Sequence, residues 1–493
     1  MQSCRSLKNH LPLLWLGLSV SAHGLSIHSP SDRGPHEHQH WLETRQIQLQ
    51  PSDVSQTQQS PLVIDTFQSA VHNDLGFWHG TGEDLAIEHE PGVMRLFPSD
   101  PDQNFHTQLD SHACFSLSPW SNQFLHVVFD GNEDFTVSLN EHNAECNPAR
   151  SPFPGTADSV QASRYLLKQK TPPEDDDDDD DEGENMNQSP QATRATQSQH
   201  GSSSRVRGGE CQSRGSARKD TAELFIPLNH FRVNLDRLIS VSFSGFFTEE
   251  PIALHRVEIV PSVPAPVEEN GHFALPEKLP TGSLVLRCSR PNSFAFGIDD
   301  GQPQFAQEVM RILDEENVRA TFFVVASGLR DESTNFTNFY REMLSKGHQV
   351  ALHSNTHPKI EALPSMEEID DEIIQSIDAL REELQISSKY FRPPFGTVGA
   401  RLRQRLAKYI ENPYVVNWSV DVEDWLWANS PTPEHQLDAF YRGVARGGNL
   451  AVMHYLHPTT VAYLRPFIHY VKSKGLKVMR VDQCLEDPSS PPL

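Results

Sequence analysis

The sequence predicts two folds in tandem: an all-β sandwich over residues 61–265, then an α/β domain on a parallel sheet over 288–487. Three observations predict this. Short apolar runs separated by turn residues fill 61–165 and resume after 222, as antiparallel strands do. A Pro-rich linker, 266–287, then changes the rhythm. Beyond it seven apolar strands alternate with six helical segments, and within about 200 residues that pattern makes a small or incomplete barrel.

At the N-terminus, Arg5 and Lys8 precede the apolar stretch Leu11 to Val20, and Val20-Ser21-Ala22 fits a signal-peptidase site. Residues 1–22 therefore read as a signal peptide and the mature protein as secreted. Residues 23–60 are polar and hold His36, His38 and His40, a metal-binding tract or, more plainly, a flexible linker. The sandwich strands are Leu62 to Ile64, Phe124 to Phe129, Phe135 to Leu139, Ala222 to Ile226, Ile239 to Phe247 and Leu254 to Val260. Asp130-Gly131 marks a hairpin turn. Phe77, Trp78 and Trp120 are either sugar-stacking surfaces or core.

Within the sandwich, 166–219 is an insertion, and ten acidic residues crowd into 174–184. Such composition buries too little apolar surface to offset ordering entropy, so disorder is expected. The Asp run reads as a solvated loop, with calcium or a basic partner as alternatives. A net charge of −25 argues against a nucleic-acid partner and against a polybasic membrane surface. No later stretch reaches transmembrane length, and a soluble monomer is expected. Cys114 and Cys146 share one β-rich segment and Cys288 and Cys484 flank the α/β domain, so two bridges are expected in an oxidising compartment. Cys211 is the odd one out.

The α/β strands are Ala295 to Ile298, Ala320 to Val325, Gln349 to His353, Lys389 to Arg392, Tyr414 to Val420, Asn449 to His454 and Lys477 to Val481. The clearest helix runs from Met366 to Leu384, with Ile369, Ile373, Ile377, Leu380 and Leu384 on one stripe. Ser365 and Glu368 make a capping box at its start.

Active sites of parallel α/β folds gather where strands end. Here reactive residues end or follow five of the seven strands: Asp299-Asp300, His353 to His357, Arg392 to Gly396, Asp421 to Trp425, and His454. Two His and one carboxylate are a zinc set that leaves a position for water, and His353, His357 and Asp300 supply it. Asp299 then suits a general base held ionised by Arg392, and His454 an acid kept protonated by Asp424.

In these motifs the C-terminal part resembles the NodB-homology polysaccharide deacetylases, carbohydrate esterase family four, which includes fungal chitin deacetylases. Five motifs stand in order over 288–486: Gly297 to Gln302, His353 to His357, Arg392 to Gly396, Asp421 to Trp425, and Val452-Met453-His454. The resemblance implies a distorted seven-stranded (β/α) barrel, NodB-like, that acts on a polysaccharide. It implies Asp299 as base, His454 as acid, and Asp300, His353 and His357 as ligands of zinc or another divalent ion such as cobalt. Phe395 would offer its backbone N–H to the oxyanion, and Trp425 and Val452 would line the acetyl pocket. Cys288 and Cys484 stand where fungal members often bridge. Gly297, Ile298 and Gln302 depart from the usual Thr, Phe and Pro, Val452 from Leu, and Tyr455 from a frequent Asp.

The N-terminal sandwich looks like the galactose-binding-like jelly rolls that accompany fungal carbohydrate enzymes. The expected activity is deacetylation of GlcNAc polymers such as chitin. An O-acetyl esterase on xylan and an inactive carbohydrate-binding protein are the alternatives. Asn335-Phe-Thr337 is an exposed-looking glycosylation acceptor, while Asn417-Trp-Ser419 lies in a core strand.

Overall fold

The computed structural model describes residues 60–110, 113–147, 155–167, 221–264 and 275–493. The expected signal peptide, the His-rich tract, Cys211 and all but the first two residues of the insertion lie outside them.

The first strands are β1 (Leu62–Asp65), β2 (His79–Gly82), β3 (Ala86–Glu90), β4 (Val93–Phe97) and β5 (Asn104–Gln108). There follow β6 (Phe124–Gly131), β7 (Thr136–Glu141), β8 (Thr156–Gln161), β9 (Ala222–Pro227), β10 (Leu238–Ser244) and β11 (Ile252–Val260). One antiparallel sheet runs β3-β4-β11-β6-β9, with β1 beside β11; a second runs β2-β5-β10-β7-β8. Both bury residues in one apolar cluster that includes Leu125, Val127 and Phe129 from the first and Phe105, Val137, Leu139, Val241 and Phe243 from the second. Alternation along each strand sends the intervening Ser138, Asn140, Ser240 and Ser242 to the opposite face.

The hairpin expected at Asp130-Gly131 does not form. β6 and β7 belong to different sheets, and Gly131 pairs with Ile252 of β11. Gly131 sits at φ +102°, and a Cβ there would stand 2.2 Å from the Pro251 carbonyl oxygen. Its glycine serves that close approach rather than a two-residue turn. Of the three aromatics, Trp78 is exposed, Phe77 is half-buried, and Trp120 packs against the apolar cluster.

The third sheet is parallel. Its strands are β12 (Ser283–Val285), β13 (Ser293–Asp299), β14 (Thr321–Val324), β15 (Gln349–Leu352), β16 (Tyr390–Phe391), β17 (Tyr414–Val416), β18 (Val420–Asp421), β19 (Leu450–His454) and β20 (Lys477–Met479). The order is β12-β17-β16-β15-β14-β13-β19-β18, with β20 beside β13. The helices are α1 (Pro303–Glu315), α2 (Phe336–Ser345), α3 (Met366–Leu384), α4 (Ala400–Tyr409), α5 (Asp424–Trp427), α6 (His435–Ala445), α7 (Pro458–Ser473) and α8 (Val481–Cys484). The α/β class is as expected, but the sheet has nine strands and is open, since β12 and β18 do not pair. The single strand expected over Tyr414 to Val420 is two, broken where Asn417 and Trp418 leave the ladder. Ser283–Val285, inside the stretch read as a linker, forms β12 because it pairs with Tyr414–Val416; three residues are too few to display a period.

α3 begins with the expected capping box, the Ser365 hydroxyl accepting from the Glu368 amide at 3.2 Å. Among the described residues no helix is long and apolar enough to cross a membrane. Both expected disulfides are present, Cys114–Cys146 and Cys288–Cys484. The second spans 196 residues, so its loss should lower stability by about 2–5 kcal/mol. Denaturant midpoints of a Cys288→Ser/Cys484→Ser double variant test this; an unchanged midpoint would remove the bridge from the stability account.

The second antiparallel sheet is joined to the α/β part through buried polar groups. Arg403 of α4, almost inaccessible, donates to Asp158 Oδ1 at 3.1 Å and Ser159 Oγ at 2.9 Å on β8, and to the Gly282 carbonyl at 2.9 Å. Lys359 reaches Asp100 and Asp102 at 2.6 and 2.7 Å, and the Thr397 hydroxyl also bonds Asp102.

Candidate active site

β13 is buried throughout and ends in Asp299; the chain then turns through Asp300 at φ +52° and Gly301 at φ +136°. A Cβ on Gly301 would stand 1.9 Å from the Tyr455 ring, so the glycine admits that ring beneath the turn. Tyr455 in turn bonds Tyr340 Oη at 2.9 Å, and the Tyr340 hydroxyl donates to the Asp300 carbonyl at 3.2 Å.

Asp300, His353 and His357 converge, with ligand atoms within 4.8 Å of one another. His353 Nε2 and His357 Nε2 each stand 3.6 Å from Asp300 Oδ1. That oxygen is buried and has no hydrogen-bond partner among the described residues. His353 Nδ1 faces the Arg392 carbonyl at 2.7 Å, which directs Nε2 toward Asp300. Burial lowers the His353 pKa to about 3, leaving a neutral imidazole with a free lone pair. Two imidazole nitrogens and an orphaned carboxylate oxygen fit a divalent cation of the zinc type.

Asp299 accepts from Arg392 Nη1 at 2.8 Å, and its other oxygen is 3.9 Å from His353 Nε2. Burial raises the Asp299 carboxyl above the usual range, against the opposing pull of Arg392. Arg392 is fully buried and also donates to the carbonyls of Val416 at 2.9 Å and Asn417 at 3.2 Å. Its room comes from Gly297, where a Cβ would meet the guanidinium at 2.3 Å. The departure from Thr in the first motif is thus filled by the arginine of the third.

β19 pairs with β13 in parallel and sets His454 opposite Asp299. His454 Nδ1 is 2.8 Å from Asp424 Oδ1, and its backbone N–H donates to Asp424 Oδ2 at 2.7 Å. Burial alone would lower this imidazolium, but Asp424, Asp300 and Asp299 outweigh it and raise the pKa to about 10. Phe395 sits at φ +59° in the turn Pro394–Gly396, exposed, with its ring 4.8 Å from that of His357. Val452 is buried and in register with Gly297 and Asp421; Trp425 is half-buried, its indole nitrogen unpartnered among the described residues.

Sequence reasoning passed over Glu372 of α3, which accepts from the Asn355 and Thr356 amides at 2.8 and 2.9 Å and holds the His353–His357 loop. It also missed the Tyr340–Tyr455 pair. Glu372 and Tyr340 had no signal beyond a polar residue on a helix face, and Tyr455 was marked only as a departure from a frequent Asp. Asn417 is buried, as its core placement implied, whereas Asn335 is exposed.

Residues 287–410 match the family model for polysaccharide deacetylases. Over that span the α/β part is similar to polysaccharide deacetylases. A chitin deacetylase from Pestalotiopsis sp is 29% identical over 220 residues, covering 43% of this chain and 70% of that protein. The peptidoglycan-N-acetylglucosamine deacetylase PgdA of Listeria monocytogenes is 30% identical over 200 residues, covering 40% of each chain. This chain is also similar to the solved chitin deacetylase of Colletotrichum lindemuthianum, at 25% identity and a TM-score of 0.39, over 43% of this chain and 95% of that one.

Proposed function

We propose that this protein is a secreted, divalent-metal-dependent hydrolase that removes acetyl groups from the nitrogen of GlcNAc polymers such as chitin. One observation carries the reading. A metal-type ligand set, a buried carboxylate and a carboxylate-backed imidazole meet at one rim of the parallel sheet. The family match and the deacetylase relatives support the reaction class, and two disulfides favour an oxidising compartment.

A zinc-type cation held by Asp300, His353 and His357 would supply Lewis acidity to the acyl oxygen and to water. Asp299 takes the proton as the water oxygen bonds to the acyl carbon, and Arg392 keeps that carboxylate ionised and aimed. The backbone N–H of Phe395 faces the developing oxyanion, and Trp425 and Val452 enclose the acetyl methyl. His454 then gives its proton to the leaving nitrogen as the C–N bond breaks, releasing acetate and an amine. Asp424 holds the imidazolium in place for that transfer. Asn335 is the proposed glycan acceptor.

Acetate release from chitin oligosaccharides by the full chain with added zinc tests the reading, and no release from metal-loaded protein would overturn it. An amine leaves only when protonated, whereas an activated ester does not need the acid. His454→Ala should therefore cut amide cleavage about 100-fold and spare activated esters. Equal losses on both substrates would take the acid role from His454. Asp424→Asn removes the charge that raises the imidazolium, so the alkaline limb of kcat should move to lower pH. A limb that stays in place would assign it to another group.

A further inference from the structure

The polar face of the second antiparallel sheet is covered rather than solvated. Alternation places Asn104 and His106 of β5, Ser242 and Ser244 of β10, Ser138 and Asn140 of β7, and Ser159 of β8 on the face opposite the apolar cluster. Leu284, Val398, Trp418 and Asp421 of the α/β part stand across from it, with Arg442 and Arg446 exposed at the mouth. Between the walls lies a cleft of about 170 Å³, many times the roughly 10–15 Å³ that one water needs.

Its groups are built in rather than left over. Ser138, Asn140, Ser159 and Ser242 are each no more than 6% exposed. Ser138 and Ser159 share a bond of 2.9 Å, and Asn140 Nδ2 donates to Ser240 and Ser242 at 2.9 Å. Each hydroxyl offers one donor and two acceptor lone pairs, so these bonds leave capacity facing the cleft. Asn417, also buried, spends its Nδ2 on the Gly396 carbonyl at 2.8 Å. Its Oδ1 is buried with no partner among the described residues, an acceptor waiting for a donor.

The charge of the lining selects the ligand class. Arg442 is paired with Glu423 at 2.8 Å, and Asp102 with Lys359 at 2.7 Å. Asp421 and Arg446 also line it, one of each sign, so the lining has no excess of positive charge to hold a phosphate or carboxylate. Hydroxyl and amide groups beside a half-buried indole are the partners of a neutral sugar ring, which hydrogen-bonds at its edge and stacks on its face. An amide N–H of an N-acetyl group is the donor that the Asn417 acceptor lacks.

We propose that this cleft binds a neutral N-acetylated sugar residue of the polymer, as a second saccharide site behind the metal centre. It rests on the deacetylase reading for the identity of the sugar. The two sites adjoin: the Asn417 carbonyl accepts from Arg392, its side chain holds the turn that carries Phe395, and Asp421 is in register with Val452.

Hydrogen exchange of the full chain carrying Asp299→Asn, with and without tetra-N-acetylchitotetraose, tests this. The saccharide should protect backbone amides within 104–108, 138–141, 240–244 and 417–423 as well as those around His353 and Phe395. Ser244→Trp, which fills the cleft without removing a buried hydrogen bond, should abolish protection at the sheet segments alone. In the otherwise unaltered enzyme it should raise KM for long polymer about tenfold, equivalent to about 1.4 kcal/mol, with kcat on a short oligosaccharide unchanged. Protection around His353 and Phe395 with none on the sheet would overturn the second site and leave the deacetylase reading standing. Protection nowhere, together with no acetate release by the wild-type chain, would overturn that reading and this site with it.

Discussion

Replacing Asp299 with Asn should lower acetate release about 1,000-fold while zinc binding persists. Asp299 stands beside the metal set, 3.9 Å from His353 Nε2, without being one of its three ligands. Asn keeps the shape, and its carbonyl oxygen still accepts from Arg392, so the buried guanidinium is not left bare. What disappears is the capacity to take a proton. Metal content, thermal midpoint and turnover on chitin oligosaccharides, measured on the same preparation, separate these effects. Full activity in the variant would remove Asp299 from the base role. Loss of bound metal would instead make it a ligand.

The second large effect is structural. Arg403→Met should destabilise the chain by about 3–5 kcal/mol, because it removes one partner of a buried ion pair and leaves the other desolvated. Arg403 and Asp158 are each 2% exposed at their side chains, and Asp158 is the point where β8, α4 and the chain leading into β12 meet. Lys278 and Thr281 also contact Asp158, so part of its charge stays compensated and the lower end of that range is expected. Burial would raise the Asp158 carboxyl, but Arg403 and Lys278 more than reverse this and hold it below its ordinary 3.8. A carboxylate with a depressed folded pKa stabilises above its unfolded value and loses that contribution as pH falls below it. The wild type should therefore lose more stability than Arg403→Met between pH 5 and pH 3, a figure of about two units around the unfolded value. Denaturant midpoints of both proteins at the two pH values check this. Parallel losses would sink the assignment.

Most of the candidate site was readable in the sequence because the chemistry sits at strand ends, which short motifs mark. Asp299, Asp300, His353 and His357 need only the strand rule and the ligand preferences of a divalent ion to be found together. The room for Arg392 was not readable. It depends on Gly297, 95 positions away, and a missing side chain carries no signal of what fills its place. β12 and β18 were missed or merged because two or three residues cannot show a period. The antiparallel strands were found by their alternation, but alternation does not say which strands pair. Hence Asp130-Gly131 was read as a hairpin although β6 and β7 part to different sheets. It also cannot tell a polar face that meets water from one that another part of the chain covers, which hid the cleft beside Trp418.

The bridge between Cys288 and Cys484 has a consequence for cleavage of the backbone. It turns the α/β part into a covalent loop with both ends fastened together, where the Arg290 amide also bonds the Cys484 carbonyl. A single cut in any surface loop between these cysteines opens the ring without freeing a fragment. The nicked halves stay tethered, and the strands that carry Asp299 and His454 remain neighbours in one β-ladder. Such a domain tolerates backbone damage that would scatter an unbridged chain.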